Sequence, residues 1–152
     1  MTITSLINAL QSHAPQVTFV ADTNYYWSPQ DNAVHYDERD DQVEAQWSLL
    51  HEAGHALMEH RKYSSDIELV QMELEAWEKA QMLASDLHIT IDPDHIEDCL
   101  DSYRDWLYKR SLCPDCRLCG IQTTQSTYRC LFCHEQWSVS NDRFCRPYRR
   151  SL

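Results

Sequence analysis

Turn-forming residues are scarce in this chain: two glycines and five prolines among 152 residues. That scarcity argues against a protein built from many tight hairpins and favours long helices with few breaks. No apolar run approaches the roughly 20 residues that a bilayer-spanning helix needs, so no membrane partner is expected. The opening stretch MTITSLINALQSHAP has neither a basic region nor a small-residue cleavage site, so a secretory leader is not expected and a cytoplasmic protein is. Basic side chains are few over most of the chain. Residues 1–102 carry 4 Lys and Arg against 20 Asp and Glu, whereas residues 103–152 carry 9 against 4, within a net charge of −11. Two regions of opposite sign suggest two jobs, although an acidic surface by itself means little beyond solubility.

Cysteine, by contrast, is abundant and clustered. Six of the seven lie between Cys113 and Cys145. In a reducing compartment such crowding points to metal rather than disulfides. Composition changes at Cys113, which divides the chain into a body over 1–110 and a small domain over 111–152. In the body, Ile3, Leu6, Ile7 and Leu10 recur at helical spacing. QVTFVAD alternates with β-branched residues and reads as a strand, and NYYWSP and AVHYDE read as two more, joined through SPQDN. Helices are expected from Gln42 to about His60, from Ser65 or Asp66 to about Leu87, and from Asp92 or Asp94 through a stripe of Ile96, Leu100, Tyr103, Trp106 and Leu107.

The helix expected from Gln42 to about His60 carries HEAGH. His51 and His55, four apart, share one face and can chelate one ion. Glu52 is turned by about 100 degrees, close enough to reach water on that ion without being a ligand. A catalytic zinc needs a third protein ligand and an open position. Residues 61–87 contain no histidine, which leaves a carboxylate. Glu73 is the one charged residue on the apolar line Leu69, Glu73, Ala76, Ala80, Leu83, Leu87. A lone carboxylate on a buried face requires a neutralising partner, and a zinc ion is one. Gly54, in mid-helix within the motif and next to the site, suggests close approach of another element.

HEAGHALMEH followed by ELEAWEKA resembles the ImmA/IrrE-type metallopeptidases, small gluzincins whose pattern is HExxH and then E-x-E-A-[ND]-x-x-A. The resemblance spans about residues 15–90. It implies a zincin-like core with His51, His55 and Glu73 as zinc ligands and Glu52 as general base. It also implies peptide-bond hydrolysis, in which the metal activates water and polarises the carbonyl while Glu52 takes a proton and returns it to the leaving amine. Transcriptional regulators are the implied substrate class. Trp77 stands where the family has Asn or Asp. Since an indole only donates, the support of the ligand histidines must differ there. The usual LLMP ending is absent. His60, Tyr36 and Tyr63 are candidate oxyanion donors, and the strand AVHY is a candidate edge for an extended substrate.

In the small domain, Cys113/Cys116 and Cys130/Cys133 form two C-x-x-C pairs separated by 13 residues. That spacing suits two knuckles sharing one structural zinc, and resembles a zinc ribbon. Cys116/Cys119 is a competing pair, with Gly120 suited to a knuckle turn, and Cys145 and His134 are spare ligands. The tail RFCRPYRR adds Arg143, Arg146, Arg149 and Arg150. With Arg117, Arg129, Trp137 and Tyr148 it offers phosphate binding and base stacking, hence a nucleic-acid partner. The alternatives are a solvated tail or one docked on the acidic body. The whole reads as α+β: a mainly helical core with a small N-terminal β-sheet, then a zinc ribbon. Two function classes follow. One is a zinc metallo-endopeptidase with a catalytic and a structural zinc. The other is a non-catalytic zinc-binding adaptor acting through its ribbon. A SprT-like protease, which shares the HExxH-plus-ribbon layout but normally uses three histidines, is a third.

Overall fold

The computed structural model describes residues 1–143 and 148–152. Phe144, Cys145, Arg146 and Pro147 lie outside the described residues, so Cys145 as a ligand and Arg146 as a phosphate contact are not placed. The chain is mixed α/β, with four helices and two small sheets among the described residues. None of those helices is long and apolar enough to cross a membrane. Two compact units emerge, Met1–Arg61 with Met72–Ile96, and Lys62–Gln71 with Glu97–Leu152. This division differs from a single cut at residue 111, because α3 (Asp66–Asp86) and α4 (Pro93–Ser111) each run through it.

In the first unit, α1 (Ile3–His13) starts at Thr2, whose Oγ1 accepts the Ser5 N–H at 3.2 Å, a side-chain cap for an otherwise orphan donor. Its Ile3, Leu6, Ile7 and Leu10 are buried. Three strands follow: β1 (Thr18–Ala21), β2 (Tyr26–Ser28) and β3 (Ala33–Tyr36). Their spatial order is β1-β3-β2, with β1 parallel and β2 antiparallel to β3. The strand AVHY is therefore central. Both its sides are already hydrogen-bonded, so the expectation that it offers a free edge is corrected: the outer strands are β1 and β2. Val34, fully buried, and its partner Trp27 share one face, while His35 and Tyr26 stack at 4.2 Å on the other.

Helix α2 (Val43–Leu57) packs against β2, β3 and α1 and carries HEAGH. A Cβ at Gly54 would collide with the Ala76 carbonyl oxygen on α3, so glycine is what lets the two helix backbones meet. The first-unit part of α3 buries Glu73, Ala76, Trp77, Ala80, Leu83 and Ala84.

In the second unit, the Ser65 hydroxyl accepts the Glu68 N–H at 3.2 Å and caps the start of α3. Leu69 clusters with Trp106 and Leu107. Strands β4 (Ile121–Thr124), β5 (Thr127–Arg129), β6 (Gln136–Val139) and β7 (Arg149–Ser151) form an antiparallel meander in chain order. Its core is Tyr128 stacked on Trp137, with Cys113 and Cys130. Arg110 is fully buried, and its guanidinium is met by several partners. It donates to the Tyr128 hydroxyl (3.0 Å) and the Gln125 carbonyl (2.7 Å), and its charge is met by Asp66 at 3.4 Å. A buried cation persists only with such pairing.

Candidate metal centres

Among the described residues, two groups of side chains converge as metal ligands do: His51, His55 and Glu73, and Cys113, Cys116, Cys130 and Cys133. In the first, helix α2 presents both imidazoles from one face, their Nε2 atoms 3.1 Å apart. Glu73 on α3 brings Oε2 to 3.2 Å from His51 Nε2 and Oε1 to 3.6 Å from His55 Nε2. An ion bound tetrahedrally at about 2.0–2.1 Å separates its donors by about 3.3 Å, and the separations of 3.1, 3.2 and 3.6 Å, the last two through different oxygens of Glu73, are close to that spacing. All three residues are buried, and Glu73 Oε2 has no hydrogen-bond partner despite its burial. An unsatisfied buried carboxylate oxygen beside the His51 imidazole is the kind of feature that a cation would resolve. Burial alone would raise the Glu73 carboxyl, but the two imidazoles outweigh it and hold it down at about 2. Burial likewise works against a charged His55, and the Glu73 carboxylate overcomes it and raises that pKa.

Glu52 stands outside this ligand group, and its Oε2 accepts the backbone N–H of Trp27 on the outer strand β2 at 2.8 Å. The motif glutamate is thus anchored to a sheet edge.

Trp77 lies flat on His51, with ring centroids 4.3 Å apart and planes 29° apart. His51 Nδ1 is buried with no hydrogen-bond partner. What Trp77 supplies to His51 is aromatic packing and not a hydrogen bond. His60, an oxyanion candidate from sequence, instead lies behind His55: their Nδ1 atoms are 2.9 Å apart, and His60 Nε2 is 3.1 Å from Glu75 Oε2. Burial first, then the neighbouring His55, pushes the His60 pKa down. Tyr36 ends β3 opposite Ala21, and Tyr63 packs on the Leu69/Trp106/Leu107 cluster of the second unit. Sequence reasoning missed Trp27 and Glu75. Neither left a signal, because Trp27 meets Glu52 through its backbone N–H and the His60 backbone through its indole, both non-local contacts, and Glu75 falls on the polar side of α3.

The four thiols lie within 4.8 Å of one another, with Cys113–Cys133 and Cys116–Cys130 sulfur pairs each 3.5 Å apart. Zinc–sulfur bonds of about 2.3 Å set thiolates about 3.8 Å apart, so this group also has ligand spacing. The Cys133 and Phe132 N–H groups point at Cys130 Sγ and help hold its pKa down at about 7. Each knuckle closes with a left-handed residue directly after its second cysteine, Arg117 (φ 64°) and His134 (φ 65°). Gly120 does not supply such a turn, since its φ is not positive. It is needed because a Cβ there would strike the Trp137 ring. Cys119 and His134 are exposed and, with Cys99, stand outside the thiol group.

Of the tail arginines, Arg143 stacks on Tyr103 at 3.9 Å and donates to the Ser102 hydroxyl at 2.8 Å. Arg149 donates to the Leu112 carbonyl at 2.7 Å, and Arg149 and Arg150 sit on the exposed strand β7.

No protein-family model, curated protein or solved structure matches this chain.

Proposed function

We propose that the first unit is a zincin-like metallo-endopeptidase centre, with zinc held by His51, His55 and Glu73, and that the four cysteines hold a structural zinc in a ribbon. The observation that carries this reading is the separation of roles between two glutamates. Glu73 closes a group with His51 and His55, while Glu52, next to His51 in sequence, stands outside that group and is tied to the sheet edge. A purely structural site has no use for the second.

Zinc, when bound, acts as a Lewis acid that activates water and polarises a carbonyl. The chain supplies the rest. His51, His55 and Glu73 would hold the ion, three protein ligands rather than the four of a closed structural site. Glu52 takes a proton from the attacking water and delivers it to the departing amine. The outer strand β2 provides backbone groups for an extended peptide, the usual way in which a sheet edge receives one. The resemblance to ImmA/IrrE-type enzymes points to a protein substrate such as a transcriptional regulator, with cytoplasmic action. The test is hydrolysis of an unstructured protein by the zinc-loaded chain and by Glu52→Gln. Hydrolysis that the two share equally rules the reading out.

A second reading, a non-catalytic zinc-binding adaptor, is favoured by the knuckle residues Leu131 and Phe132, which are 65% and 73% exposed. Nucleic-acid contact rests on Arg149 and Arg150 and would show as a steep salt dependence of binding.

A further inference from the structure

Helix α2 ends in a Schellman turn that lacks the customary glycine. Glu59 is left-handed (φ 54°), its N–H bonds to the Ala56 carbonyl at 3.1 Å, and the His60 N–H bonds to the His55 carbonyl at 3.0 Å. This turn places the second residue beyond the cap against the third residue from the helix end, ordinarily in an apolar contact. Here both positions are histidines. The loop is pinned from the sheet side too, because the Trp27 indole N–H donates to the His60 carbonyl at 2.7 Å.

The direction of the hydrogen bonds follows from the donor inventory. His55 Nε2 faces His51 Nε2 and Glu73 Oε1, so a ligand lone pair belongs there and the ring proton belongs on Nδ1. That proton lies on the line to His60 Nδ1, 2.9 Å away. His60, accepting at Nδ1, carries its own proton on Nε2, which faces Glu75 Oε2 at 3.1 Å. Each nitrogen along the path then has one partner and one role.

We propose that His60 and Glu75 are positioning residues for the metal centre, a hydrogen-bond relay that fixes the tautomer and ring orientation of His55 and strengthens it as an Nε2 ligand. This rests on the metal-centre reading above. The two histidine ligands are then supported by different physics. His55 is held by a chain ending in a carboxylate, whereas His51 has an unpartnered Nδ1 and is held by its stack on Trp77. Partners of this kind are typically worth 10–100-fold in metal affinity. Glu75 stands on α3 two residues after the ligand Glu73, so one helix supplies both a ligand and the support for another.

The test uses the full chain loaded with zinc or cobalt(II). Chelator competition gives the affinity of the His/Glu site, and the cobalt ligand-field bands report its geometry. The thiolate site serves as an internal control. His60→Phe keeps a ring but removes the acceptor, and is expected to weaken the His/Glu site 10–100-fold and shift its bands. His60→Asn places an oxygen where Nδ1 was and is expected to recover most of that loss. Glu75→Gln, which keeps an acceptor without the charge, is expected to lose less than His60→Phe. Unchanged affinity and spectrum in His60→Phe, or no recovery in His60→Asn, overturns the relay. A wild-type chain that takes up metal only at its thiols overturns the metal centre itself, a different result from the same titration.

Discussion

The backbone N–H of Trp27 donates to Glu52 Oε2 at 2.8 Å, joining the outer strand of the sheet to the one HEAGH carboxylate that stands outside the ligand cluster. On the peptidase reading proposed above, a bound peptide would compete for this N–H. Glu52→Gln retains an acceptor for this N–H. It should therefore keep fold and metal while losing hydrolysis by about 10²–10⁴-fold, the usual contribution of a general base. Glu73→Gln should instead lose metal. Atomic absorption and peptide hydrolysis on both variants separate the two roles, and equal metal loss in both would mean that they are misassigned.

Glu73 also makes a pH prediction for the metal-free chain. Its folded pKa, about 2, is below the ordinary 4.5. A depressed carboxylate stabilises the fold above the unfolded value, and that stabilisation disappears as pH falls from about 4.5 towards 2. Urea unfolding in the presence of a chelator should show this loss in wild type, of order 3 kcal/mol across the window. Glu73→Gln should lack that part of the slope. Parallel slopes for the two proteins would contradict the assignment.

Gly54→Ala sets two effects against each other. Alanine favours a helix by about 1 kcal/mol over glycine. Its Cβ, however, meets the Ala76 carbonyl, which is backbone and cannot rotate away. Overpacking of this kind costs about 1–3 kcal/mol, so the expected outcome is net destabilisation, read as a lower urea midpoint with an unchanged slope.

In the second unit, Cys119→Ser should leave the tail metal in place, since Cys119 stands outside the thiol group. Cys130→Ser should release it and loosen the Tyr128/Trp137 core that Cys130 packs into. Zinc stoichiometry with tryptophan fluorescence follows both events. Retention of tail zinc in Cys130→Ser would overturn the four-thiolate assignment.

Periodicity made much of this protein legible. The α1 face and the isolated Glu73 on an apolar stripe follow from spacing of 3.6 residues, and the knuckle cysteines from their own spacing. Gly54 was readable because a glycine inside a helix needs a reason. What escaped depends on non-local pairing or on backbone. β1 joins β3 in parallel, skipping β2, and no local pattern reports that AVHY would end up in the middle. His60 reaches His55 only through a left-handed Glu59, where no glycine marked the turn. Glu75 looked like one more solvated carboxylate. Leu69 continued the Glu73 stripe on paper yet packs with Trp106 and Leu107, because α3 runs through the division between the units.

The outer strand β2 is three residues long, Tyr26 to Ser28, and one of its amides is already taken by Glu52. As a ruler for an extended partner it is short, reading little more than a tripeptide of main chain. An enzyme with so brief a grip would be nearly blind to long sequence motifs. Its selectivity would have to come from which chains present a loose segment near it, so the fidelity of cutting would depend on the partner's unfolding and on what brings that partner close.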